Sequence, residues 1–157
     1  MRDPELRRAG VADRAEVSAL WLALTEHHAA FDARYSLAAG ARDEAGRLVE
    51  ALLRDPDTAV YLAPGAGAAQ ALAIVRVAQA PPIHAERCRA EITDLFVAPE
   101  ARRRGWGRRL VAETSAWARQ RGAERMEVRV ARSNPEGRAF WEACGYAAHM
   151  DVLDRRL

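Results

Sequence analysis

The chain reads as a single α/β domain, residues 1–157, whose central sheet contains at least one parallel strand pair. Three observations predict this. Half of the 157 positions are hydrophobic and 29% are charged, which suits one soluble domain with enough apolar surface for a core. No repeat, long linker or low-complexity block divides the sequence. In the second half, β-type runs alternate with helix-type runs, so later strands are joined through helical crossovers, the connection that parallel pairing requires.

The elements follow in order. Leu6 to Ala9 gives a short strand, and Asp13 is placed to cap a helix whose apolar stripe is Val17, Leu20, Trp21 and Leu24, ending near His28 to Ala30. Asp43 is placed to cap a second helix carrying Leu48, Val49, Leu52 and Leu53, which Asp55-Pro56-Asp57 breaks. Ala59 to Ala63 and Gln70 to Ala78 are β-type runs on either side of Pro64-Gly65-Ala66-Gly67, a hairpin signature. Pro81-Pro82 ends that run. Arg89 to Val97 is the next strand. A helix from about Gly107 to Arg121 carries Leu110, Val111, Thr114, Trp117 and Ala118 at helical spacing. Met126, Val128 and Val130 alternate as a strand, Asn134-Pro135-Glu136 opens a helix that stops at Gly145, and Tyr146 to Leu153 is predicted to close the sheet.

Composition excludes several classes of function. The 24 basic and 22 acidic residues leave a net charge of +2, too balanced for a dedicated nucleic-acid binder. Every basic residue is Arg, so the chain has no lysine to be modified. No run approaches the ~18 apolar residues of a membrane span, and MRDPELRRAG has no apolar stretch behind its charges. Cys88 and Cys144 are too few and too far apart for a disulfide framework or a cysteine zinc site. A cytoplasmic protein that engages neither membrane nor nucleic acid is the expectation.

The chemistry concentrates in Asp94-Leu95-Phe96-Val97-Ala98-Pro99-Glu100-Ala101-Arg102-Arg103-Arg104-Gly105-Trp106-Gly107-Arg108-Arg109-Leu110. A strand runs into a loop with two glycines and on into a helix, so unpaired backbone amides and the positive end of the helix dipole converge where a phosphate would bind. A Walker loop needs a Lys, which is absent, and a dinucleotide fingerprint needs a third Gly or Ala where Leu110 stands. By spacing alone, a lone Gly-x-Gly is better read as an ordinary glycine turn in a solvated Arg-rich loop.

The combination of Arg102-x-x-Gly105-x-Gly107 with a later Asn134 and Ala139-Phe140-Trp141-Glu142-Ala143-Cys144-Gly145-Tyr146 resembles the acetyl-CoA-binding core of the GNAT (Gcn-related N-acetyltransferase) superfamily. The resemblance covers Arg89 to Tyr146 closely and the rest in element order. It implies a mixed central sheet with a splayed parallel strand pair, flanked by about four helices, and transfer of acetyl from acetyl-CoA to a primary amine of a small molecule or peptide. A homodimer is compatible with it. By the same resemblance, the pantetheine arm pairs with the backbone of Leu95, Phe96 and Val97. The pyrophosphate sits on the amides of Arg103, Arg104, Gly105, Trp106, Gly107 and Arg108, with Arg102 also among the cofactor-binding residues. Asn134 contacts the cofactor or, equally, caps the helix after it.

Amine attack on a thioester needs a base and an oxyanion donor. The Val97 amide is the candidate donor. For the base, Glu91 ranks first, Asp94 second and Glu127 third, each being otherwise a solvent-facing strand charge. Glu91 and Asp94 have opposite parity, so at most one faces the cleft unless a bulge intervenes. The family's acidic Tyr position holds Trp141, whose indole is no proton source at neutral pH. That departure keeps open a second reading, a catalytically weak acetyl-CoA-binding sensor or accessory module. Glu26, His27 and His28 end the first helix and Asp32 and Tyr35 follow, a polar cluster where such proteins build the acceptor pocket or, equally simply, a solvated helix end. With Asp43 and Glu44, two of these acids would make a wall favouring a cationic amine, or would only cap and solvate helices. No spacing supports a metal site.

Overall fold

The computed structural model describes residues 5–156. A five-stranded sheet runs in the order β1 (Arg7–Arg8), β2 (Thr58–Ala63), β3 (Ala71–Gln79), β4 (Cys88–Val97) and β5 (Arg125–Val128). The first four strands pair antiparallel, and β4 and β5 pair parallel. Four α-helices flank them: α1 (Arg14–Ala29), α2 (Ala41–Arg54), α3 (Trp106–Gln120) and α4 (Pro135–Ala143). This is the mixed sheet with a parallel pair and four helices that the sequence predicts.

Every residue of β2 is buried, and so are the first five of β3, because helices cover both sides of these central strands. Trp21 of α1 bonds to Asp94 of β4, while Gly107 of α3 lies against Val97. Asp94 pairs with Ile74 and Val97 with Ala71, positions of opposite parity on β3, so α1 and α3 pack on opposite faces of the sheet. The core between them includes Val17, Val49, Leu62, Leu72, Ile74, Ile92 and Leu110, all at most 1% exposed.

Three sequence expectations are corrected. Helix α2 starts at Ala41, capped by Gly40 in left-handed backbone (φ 76°), so Asp43 sits inside the first turn rather than capping it. There its charge suits the helix dipole instead. Strand β5 stops at Val128, short of Val130. Residues 146–153 form no strand. Gly145 (φ 89°) turns the chain back, and the Tyr146 amide bonds to the Trp141 carbonyl at 3.0 Å. The Ala147-Ala148-His149 tract after it has little apolar bulk to bury, and Met150, Val152 and Leu153 are exposed.

Candidate active site

The geometry of the site begins with one extra residue in β4. Ile92 pairs with Val75 and Asp94 with Ile74, so Thr93 has no partner on β3 and forms a β-bulge. A bulge inverts side-chain alternation. Glu91 and Asp94, of opposite parity in sequence, therefore lie on the same face, the one that α1 covers. Glu127 is the register partner of Glu91 and shares that face.

The bulge also marks where β4 parts from β5. Their parallel ladder runs from Arg89↔Arg125 to Ile92↔Val128 and stops. The Ala98 amide bonds to Gln70 on the β3 side at 2.9 Å. Alternation then directs the backbone of Phe96 and Asp94 toward β3, and that of Leu95 and Val97 toward the side β5 has vacated. The Val97 carbonyl is met there by Arg102 Nε at 3.2 Å. An edge of this kind can take an extended ligand as an added strand.

Next to that edge the loop enters α3. The first amide of the helix with a carbonyl partner is that of Arg109, bonded to Gly105 at 3.1 Å, and no side chain caps the end. The amides of Trp106, Gly107 and Arg108 consequently have no intrahelical acceptor. Arg103 and Gly105 hold left-handed backbone (φ 63° and 83°), which curls the loop around the helix end. A Cβ on Gly105 would meet nothing within 4 Å, so the space beside these amides is open. Gly107 differs. A Cβ there would stand 3.0 Å from the Phe140 ring, so any larger residue would press on the contact between α3 and α4. The Arg102, Arg103, Arg104 and Arg108 side chains are exposed around the loop, and Trp106 is buried beneath the Arg109 guanidinium.

On the opposite face, Asp94 Oδ1 accepts from the Trp21 indole at 2.8 Å. His28, two helical turns beyond Trp21, is close enough to feel the Asp94 charge. Burial foremost, then the charge of His27, holds its imidazole below the ordinary range, and Asp94 offsets part of this. The sequence puts Trp21 on an apolar stripe and His28 in the polar cluster at the end of the helix, without linking either to Asp94. The seven-residue spacing of the two on one helix face was the available signal, and it points to a site only once the bulge turns Asp94 toward them.

Glu26 is exposed, and the His27 ring packs edge-on against Phe31 at 5.1 Å. Asp32 is clamped by Arg34 at 2.6 and 2.8 Å and Glu44 pairs with Arg47, while Asp43 is exposed, so arginine answers two of the four acids of the wall. The Arg34 guanidinium beside it also holds the Asp32 carboxyl below the usual carboxylate range. Glu91 is held by Arg129 Nε at 3.3 Å.

Asn134 caps α4, its side chain accepting from the Gly137 amide at 2.8 Å. Trp141 is buried, with its ring edge-on to both Phe140 and Tyr146 at 5.1 Å. Burial pushes the Tyr146 phenol and the Cys144 thiol above their ordinary ranges. Among the described residues, no group of His, Cys, Asp and Glu could hold a metal ion, and no helix is long and apolar enough to cross a membrane.

The model of the acetyltransferase (GNAT) family matches residues 21–146, which include β4, the glycine loop and α4. The chain belongs to this family. The GNAT chain is also similar in fold to a tetramutant of the BH1408 protein from Bacillus halodurans, with a TM-score of 0.83, 19% identity and coverage of 98% of this chain and 99% of that one. Against the aminoglycoside N-acetyltransferase AAC(6')-Iy in complex with CoA the TM-score is 0.80, with 18% identity and 99% and 97% covered. Against a ribosomal-protein-alanine N-acetyltransferase from Brucella melitensis biovar Abortus 2308 it is 0.71, with 17% identity and 99% and 100% covered. No protein of curated function matches the GNAT chain in sequence.

Proposed function

We propose that this protein transfers the acetyl group of acetyl-CoA to a primary amine by direct attack on the thioester. The observation that carries the reading is the arrangement along one strand: the Leu95 and Val97 backbone directed to an open edge, unpaired α3 amides beside that edge, and Asp94 on the face behind it. The cradle fits a pyrophosphate, since the amides of Trp106, Gly107 and Arg108 face open space beside Gly105 and four exposed arginines surround them. The Leu95 backbone would hold a pantetheine amide, and Arg102 keeps the Val97 carbonyl in place. The donor supplies an activated acyl group with a thiol leaving group of pKa ~8.5, which departs as thiolate without a protein acid. This answers the presence of Trp141 in place of an acidic tyrosine.

Of the three carboxylates, Asp94 has the base's position. It lies beyond the β5 ladder, next to the open edge, whereas Glu91 sits within the ladder in an ion pair with Arg129. Asp94 would take the proton of the incoming ammonium, and the Val97 amide would donate to the oxygen of the tetrahedral intermediate. Asn134 has its side-chain carbonyl committed to the α4 cap, with its NH2 close to Gly137.

An amine panel that follows release of free coenzyme A tests the reading. Turnover is expected with at least one amine, and Asp94→Asn should lower it about 100-fold at neutral pH, recovering at high pH where the amine deprotonates unaided. Acetyl-CoA binding without turnover of any amine would instead support the sensor or accessory reading that Trp141 motivates.

A further inference from the structure

The face that carries Asp94 continues past α1 onto the far ends of β3, β4 and β5. There, Arg76, Ala78, Arg89, Glu91 and Arg129 line an open cavity of about 220 Å³. We propose that this cavity receives an anionic group, a carboxylate or phosphate, borne by the acceptor amine. The inference rests on the acetyltransferase reading and specifies its substrate class.

Pairing register builds the cavity. Arg76 stands directly across from Glu91, and Arg89 across from Ala78, so all four share the face on which Asp94 lies. Ala78 has only a methyl group, which leaves the floor open between longer neighbours. Guanidinium groups outnumber carboxylates. Glu91 meets Arg129 through one contact of 3.3 Å, and Glu127 meets Arg89 through one of 3.8 Å. Neither is the two-pronged pairing that uses a guanidinium fully, so donors remain on both arginines. Arg76 makes no ion pair among the described residues, although Glu91 stands across from it on the neighbouring strand. A carboxylate or phosphate placed among the three would complete their hydrogen bonding.

Distance sets the length of the ligand. Glu91 lies three residues before Asp94, and at ~3.3 Å per strand residue the cavity begins within roughly 10 Å of the base. An amine at Asp94 with its anion among the arginines is therefore an ω-amino acid or a phosphoamine, not an amine with cationic groups at both ends. Of the N-terminal acids, Asp32 and Glu44 are already held by Arg34 and Arg47.

Matched pairs test this: 6-aminohexanoate against hexylamine, and 3-aminopropylphosphonate against propylamine, with acetyl-CoA saturating. The parent protein should favour the anionic member of at least one pair by roughly tenfold or more in kcat/KM, the scale of one charged hydrogen bond. Which pair shows the larger ratio distinguishes carboxylate from phosphate. In Arg76→Gln/Arg129→Gln the ratio should fall toward one. Equal or better use of the uncharged amines, or a ratio that the double substitution leaves intact, overturns the proposal. If no amine is turned over, it is the acetyltransferase reading that fails. Ligand-observed NMR then decides the cavity: 6-aminohexanoate or 3-aminopropylphosphonate should bind the parent and not the double variant, and binding of neither anion overturns it.

Discussion

At the scale of the residue, Asp94 shows how little a side chain's identity says about its setting. Its carboxylate is oriented by an indole donated from α1, 73 residues earlier in the chain. Removing that donor while keeping an aromatic body isolates its contribution. Trp21→Phe should destabilise the fold by about 1 kcal/mol, the usual net worth of such a bond. It should also lower turnover several-fold while acetyl-CoA affinity, measured by calorimetry, stays put, because the cofactor loop lies on the other face. Glu91 carries the same kind of charge one bulge away, yet Arg129 holds it and Arg76 faces it. The sequence ranks Glu91 ahead of Asp94 and allows only one of them to face the cleft on a regular strand. The bulge at Thr93 that breaks that regularity leaves no signature in residue type.

At the scale of the element, most of the architecture was legible. The strand-loop-helix unit from Cys88 to Gln120, the hairpin of β2 and β3, and the α4 cap at Asn134 all carry local signals that need no tertiary knowledge. What escaped is non-local. The end of β5, and the failure of residues 146–153 to pair, depend on what a neighbouring strand offers rather than on their own alternation. Gly107 is the instructive case, for spacing suggests a phosphate contact whereas its tightest neighbour is the Phe140 ring, 3.0 Å from where a Cβ would stand. Gly107→Ala should thus overpack the α3–α4 contact and cost roughly 1–3 kcal/mol by denaturant unfolding. Gly107→Ala/Phe140→Leu should recover part of that loss. Equal losses in the single and double variants would show that the ring is not the obstacle.

At the scale of the whole molecule, stability and site chemistry meet at His28. Its imidazole, faced by His27, Asp94 and the Tyr35 ring at 5.5 Å, is held below its ordinary value of 6.5. The unfolded chain then binds a proton there that the folded chain does not. The contribution of a neutral His28 is fully present above about pH 6.5 and is lost as pH falls through the lower folded value. Urea midpoints should decline between pH 7 and 5, and His28→Asn should flatten that decline. The carboxylates held low at Asp13, Asp32, Glu50 and Asp55 act only in a more acid range, which keeps the two effects apart. The opposed placement of α1 and α3 has a kinetic meaning as well. The glycine loop opens on the α3 side of the sheet and the Asp94 cluster on the α1 side, so two reactants can enter by separate doors and meet where β4 leaves β5. Neither has to vacate the protein for the other to arrive. Initial-rate plots should accordingly intersect, as for a ternary complex, and an unreactive analogue of the acceptor should be noncompetitive toward acetyl-CoA. Parallel lines would mean that the acetyl group rests on the protein between two visits.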